Sequence, residues 1–184
     1  MIQFILGGAR SGKSRYAESI ALSEELAGKT VFYIATAPVT PVQKEPADSL
    51  EIDVEMQSRI EKHQADRPSH WQTIETPLTL AESLIELDSE HHCIMVDCLT
   101  LWMLNLIEAD QLQTQRAELL ALLPQLKARI ILVSNEIGLG VVPMGQLTRS
   151  FVDELGWLHQ DIAQLADEVT FVTAGLPMQL KPAK

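Results

Sequence analysis

The sequence predicts an α/β fold in which one mostly parallel sheet is covered by helices on both faces. Three observations predict it. Short apolar, β-branched runs alternate with stretches at helical spacing along the whole chain, the first run feeds straight into a glycine turn, and no apolar run is long enough to span a bilayer. Strands buried on both faces lose the in-out alternation of a half-exposed strand and read as continuous apolar runs, as these do.

Length and charge set the outer bounds. At 184 residues the chain suits a single domain, expected to occupy 1–184. A net charge of −11 and a pI near 4.8 argue against an electrostatic grip on nucleic acid or anionic lipid, which needs a basic face. The apolar run 2–6 passes directly into glycines, so no signal peptide and no membrane span are expected, and a cytoplasmic setting follows. Cys93 and Cys98 lack a partner pair with zinc spacing and are expected to be reduced, buried thiols.

The first strand is Ile2 to Leu6. It opens into Gly7-Gly8-Ala9-Arg10-Ser11-Gly12-Lys13-Ser14, which satisfies the G-x-x-x-x-G-K-[ST] phosphate-loop pattern in the strand-to-helix context that pattern requires. Glycines let successive backbone N–H groups turn inward on phosphate oxygens, and the helix behind adds the positive end of its dipole. Lys13 then reaches the β and γ phosphates of a nucleotide, and the Ser14 hydroxyl faces a magnesium ion bridging them. Lys13 to Ala27 is that helix, with an apolar stripe through Ala17, Ile20, Ala21 and Leu26 and Gly28 beyond its end.

Thr30 to Ala35 is a second buried strand, and Thr36 to Leu50, with three prolines, a long loop. Asp53 to Ala65 returns to helical spacing. Trp71 to Glu75 is a candidate strand and Thr79 to Leu87 a short helix. Cys93 to Asp97 is four apolar residues ending in a carboxylate, the form of strand that delivers an acid to the magnesium in phosphate-loop enzymes. The alternative is an Asp97 that caps the following helix. Leu99 to Ile107 and Gln111 to Leu126 read as helices, Arg129 to Ser134 as a strand entering the turn Asn135 to Gly140, Gly145 to Ala166 as a long helix, and Glu168 to Thr173 as a last strand. Ligand crevices in such sheets lie at the carboxyl ends of the strands.

Beyond the loop, Glu75 and Asp97 are the carboxylates expected near a ligand. His63 lies on a polar helical stretch where a nucleophile toward phosphorus is chemically available, but spacing alone favours an inert surface histidine. His91 and His92 read as solvated loop residues, while His70 and His159 are ambiguous.

Taken together, Gly7 to Arg15, Tyr33-Ile-Ala-Thr36, Asp53-x-Glu55-Met56, Arg59-Ile60, His63-x-x-x-Arg67-Pro68, Trp71 and Ser134 to Pro143 follow one another as in one family. The chain resembles the bifunctional adenosylcobinamide kinase / adenosylcobinamide-phosphate guanylyltransferase family of cobalamin biosynthesis from Ile2 through Gly175. That resemblance implies a phosphate-loop NTPase (RecA-like) three-layer fold and a two-step enzyme. ATP or GTP would phosphorylate the aminopropanol hydroxyl of adenosylcobinamide, and GMP would then pass from GTP to that phosphate through a guanylylated histidine, with Mg2+ as cofactor. It implies His63 as the modified histidine and nucleotide contacts from Gly7 through Ser14, from Thr36, Ala37 and Pro38, from Gln64, Ala65, Asp66 and Arg67, and from Glu75 and Asp97. It also implies a homotrimer. A plain small-molecule kinase and a nucleotide-binding regulatory protein are the alternative readings.

Overall fold

A computed structural model of the chain describes residues 1–37 and 68–182. These form a seven-stranded sheet from β1 (Ile2–Gly7), β2 (Thr30–Ala35), β3 (Gln72–Glu75), β4 (His92–Asp97), β5 (Arg129–Asn135), β6 (Glu168–Thr173) and β7 (Leu176–Lys181). The order across the sheet is β3-β2-β4-β5-β1-β6-β7, and every pair is parallel except β6 with β7. Helices α1 (Lys13–Leu26), α2 (Leu80–Glu86), α3 (Leu99–Glu108), α4 (Leu112–Leu122) and α5 (Gln146–Leu165) cover it.

The apolar runs are continuous because both faces are covered. Side chains alternate along each strand, so Ile5, Val31, Tyr33, Met95 and Val133 pack against Ala17 and Ala21 of α1 on one face. Phe4, Phe32, Ile34, Ile94 and Leu132 go to the other face, against Leu84, Trp102, Leu119 and Leu158 of the remaining helices. Two neighbouring strands therefore send their connections to opposite sides, β1 to α1 and β5 to α5. The sheet's order reverses there, and the crevice of an open α/β sheet opens at such a point.

Boundaries shift where local chemistry intervenes. The helix expected over Gln111 to Leu126 ends at Leu122 and tightens into a 3-10 turn, Leu123–Gln125, at Pro124, whose ring and missing N–H do not suit a helix interior. His92, read as a solvated loop residue, belongs to β4. Its Nδ1 lies 2.8 Å from the Leu87 carbonyl oxygen and its ring is tilted against Phe32 at 4.8 Å. The edge strand β7 follows a strand expected to be the last. Its alternating Leu176, Met178 and Leu180 carried the signal, but Pro177 obscured it, and proline is tolerated at a sheet edge. No helix among the described residues is long and apolar enough to cross a membrane.

Candidate active site

The strand register lines up the carboxyl ends. Glu75 pairs with Ala35, Ala35 with Asp97, Asp97 with Val133, and Gly7 with both Asn135 and Val172, so the expected carboxylates and the phosphate loop share one edge of the sheet. Glu75 is exposed there, and Thr36 and Ala37 continue β2 past the same edge, Thr36 fully buried.

The loop from Gly7 to Ser14 is tightly curled. Arg10 and Gly12 adopt positive φ, 56° and 94°, and the Ser11 amide donates to the Gly8 carbonyl at 3.2 Å. A Cβ on Gly7 would lie 2.5 Å from both Ser11 Oγ and the Val172 carbonyl oxygen, so only glycine fits that position. Ser11 Oγ is buried beside Gly7 with no hydrogen-bond partner. Lys13 is 9% exposed and its Nζ donates to the Gly8 carbonyl at 3.3 Å. Burial pushes its pKa down, opposed chiefly by the nearby Asp97 carboxylate. Ala9 and Arg10 are exposed on the outer side of the turn, whereas Gly8 and Ser14 are half-buried.

Asp97 follows Cys93 and Met95 at the two-residue period and so lies on the α1 face, the face where Lys13 and Ser14 begin their helix. It is not a helix cap. Cys98 holds that position in α3, with no side-chain cap bond. The Tyr33 hydroxyl donates to Asp97 Oδ2 at 3.2 Å. Ser14 and Asp97 are oxygen donors of the type magnesium takes, one or two per ion with the rest from phosphates and water, so the residues present fit that cation. No cluster of three metal-ligating side chains exists among the described residues, and such a site does not need one.

Both flanks of the edge are tied down. The Glu136 amide donates to the Gly7 carbonyl at 3.0 Å, and the Gly175 amide, in the β6–β7 turn, donates to the Ser11 carbonyl at 2.8 Å. On the other flank Asn105 of α3 donates from Nδ2 to the carbonyls of Thr36 (2.8 Å) and Pro77 (3.1 Å), while Thr36 Oγ1 donates to the Cys98 carbonyl (2.7 Å) and accepts from the Cys98 amide (3.0 Å). Behind β5, Thr100 Oγ1 accepts from the Asn135 amide at 2.7 Å and lies 3.1 Å from Ser134 Oγ, which is 2.8 Å from His159 Nε2. Sequence reasoning gave no role to Tyr33, Asn105, Thr100 or Gly175. Only Gly175, a glycine just after a strand, carried a local signal, that of a turn.

The remaining histidines have structural surroundings. His70 pairs with Glu25 at 2.7 Å, His91 is exposed, and burial pushes His159 down to about 4. Cys93 and Cys98 are free and buried, with burial raising their pKa values to about 12 and about 11. Pro38, His63, Gln64, Ala65, Asp66 and Arg67 lie outside the described residues.

A curled glycine loop between β1 and α1, with a carboxylate two strands away on the same face, defines the phosphate-loop NTPase class. The structure is similar to that of the flagellar accessory protein FlaH from Methanocaldococcus jannaschii, with a TM-score of 0.51 at 18% identity, covering 99% of this chain and 78% of that one, a likeness of fold. The chain belongs to the CobU family, cobinamide kinase / cobinamide phosphate guanyltransferase, which it matches over residues 3–180. It is 52% identical to the bifunctional adenosylcobalamin biosynthesis protein CobP of Pseudomonas aeruginosa, with 98% of each chain covered. It is 33% identical to CobU of Escherichia coli K12, a protein of the same description, covering 98% of this chain and 100% of that one.

Proposed function

We propose that this chain carries out both reactions of its family. In the first, the aminopropanol hydroxyl of adenosylcobinamide attacks the γ-phosphorus of ATP or GTP. The bond to the β-bridging oxygen breaks, the nucleoside diphosphate leaves, and the hydroxyl proton passes to solvent. In the second, a ring nitrogen of His63 attacks the α-phosphorus of GTP and pyrophosphate leaves. The phosphate of adenosylcobinamide phosphate then attacks the same phosphorus, the N–P bond breaks, and adenosylcobinamide-GDP is released.

The observation that carries this reading is the cradle formed by the Gly7 to Ser14 loop, curled with Arg10 and Gly12 at positive φ and with the Lys13 ammonium held against the Gly8 carbonyl. Its amides and Lys13 would stabilise negative charge on the β and γ phosphates, which serve as the leaving group of the second reaction. Bound magnesium, held by Ser14 and Asp97 together with the phosphates, would supply further charge neutralisation. Thr36, Ala37, Pro38, Glu75 and the Gln64 to Arg67 stretch would complete the nucleotide contacts.

Incubation with GTP labelled at the α-phosphate tests it. Acid-labile label on wild type, absent from His63→Ala, is expected. Unlabelled wild type that still phosphorylates cobinamide would leave a kinase alone, and nucleotide binding without either transfer would leave a regulatory protein.

The homotrimer belongs to the same proposal. Leu139, Val141, Val142, Met144 and Leu147 are 75–96% exposed along one stretch, and large exposed apolar side chains close together in the chain support self-association. Light scattering that returns a monomer mass would remove it. The two buried free thiols support a cytoplasmic setting.

A further inference from the structure

The strand Thr30–Ala35 holds a run of buried side chains, of which only Tyr33 ends in a hydroxyl. That residue is 4% exposed, with its ring packed among Ala17, Ala21, Met95 and Val133 between α1 and the sheet. Packing alone would be served as well by phenylalanine, and a buried tyrosine hydroxyl needs a partner. Its partner is Asp97 Oδ2 at 3.2 Å.

The contact follows from register. Ala35 is paired with Asp97 and Tyr33 with Met95, so Tyr33 is the diagonal neighbour of Asp97 on the α1 face, within reach of a long side chain. The ring is fixed by its packing, and the hydroxyl therefore holds one carboxylate oxygen in place.

We propose that Tyr33 is a positioning residue, which orients the Asp97 carboxylate for the magnesium that accompanies the bound nucleotide. Partners of this kind hold a ligating carboxylate in its productive rotamer, and their loss weakens metal affinity by about tenfold or more. The inference rests on the reading of the first loop as a nucleotide site and of Asp97 as its carboxylate.

Equilibrium binding of a fluorescent GTP analogue, titrated with magnesium, separates the possibilities. In Tyr33→Phe the magnesium concentration at half-maximal effect is expected to rise about tenfold, while affinity for the analogue in the presence of a chelator stays within about twofold. On an Asp97→Asn background, adding Tyr33→Phe is expected to change nothing further, since the hydroxyl acts through that carboxylate. Val31→Ala, which thins the same cluster without touching the hydroxyl, is expected to leave the magnesium half-point where it is.

An unchanged half-point in Tyr33→Phe, a full additional shift on the Asp97→Asn background, or an equal shift in Val31→Ala would each overturn the proposal. Failure of the wild type to bind the analogue at all would instead strike the nucleotide-site reading on which it stands.

Discussion

The Lys13 ammonium rests on a carbonyl of its own loop, with Nζ donating to the Gly8 oxygen at 3.3 Å. Burial pushes its pKa down, and the nearby Asp97 carboxylate offsets that desolvation only in part. The loop thus keeps at its base a charge that only an anionic ligand fully satisfies.

Replacing Lys13 by methionine is therefore expected to divide activity from stability. Phosphoryl transfer to cobinamide should fall about 100- to 1,000-fold in kcat, the usual cost of removing one donor aimed at developing charge. The ligand-free protein should melt no lower than wild type, because the variant no longer desolvates an ammonium group. Steady-state kinetics and thermal unfolding read the two effects separately.

Gly12 and Gly28 share a left-handed conformation, φ 94° and 96°, but not a neighbourhood. A Cβ on Gly12 would sit 3.2 Å from the Gly175 Cα, whereas nothing lies within 4 Å of one on Gly28. Either alanine variant should lose about 1–2 kcal/mol to backbone strain, measured by denaturant unfolding. Only Gly12→Ala should also weaken nucleotide binding, because there the loop itself has to move.

His159 gives the fold an acid-sensitive contribution. Its unfolded form takes up a proton near 6.5, while burial holds the folded form neutral down to about 4. The contribution is complete above the unfolded value and is lost as pH falls from there toward 4, by up to about 3 kcal/mol. Unfolding at pH 7 and at pH 4 should show wild type losing more stability than His159→Gln by about that amount.

Asn105 joins two loops through one amide. Its Nδ2 donates to the carbonyls of Thr36 and Pro77, one beyond β2 and one beyond β3. Asn105→Ala should cost about 2 kcal/mol in unfolding free energy, mostly from leaving those acceptors without their donor. The measurement is a shift in denaturant midpoint at unchanged slope.

Much of the architecture was legible in the sequence because burial on two faces leaves a plain trace. The runs Ile2 to Leu6, Thr30 to Ala35 and Arg129 to Ser134 are apolar but for Gln3, Thr30, Arg129 and Ser134, and each is a strand of the structure. The glycine loop was legible for a different reason. Its geometry demands particular residue types at fixed spacing, as Gly7 wedged against the Val172 carbonyl illustrates. The supports of the site were not legible. Asn105, Thr100 and Tyr33 act across strands and helices that are distant in sequence, and an asparagine on a helix or a tyrosine in a strand gives no local sign of what it will touch. Asp97 fell between the two cases: residue type suggested either a cap or a ligand-side acid, and only the two-residue alternation of β4 against α1 decided its face.

The central place of β1 has a consequence for folding. It lies between β5 and β6, and the Ile2 amide donates to the Asp167 carboxylate across 165 residues of sequence. β1 is thus paired on one side with a strand far along the chain, and the turn that braces Ser11 lies further along still. Contacts so far apart along the chain close slowly. A chain that had paired its sheet only up to β5 would have most of its core, yet its phosphate grip would remain unbraced until β6 docked on β1 and brought the Gly175 turn against Ser11.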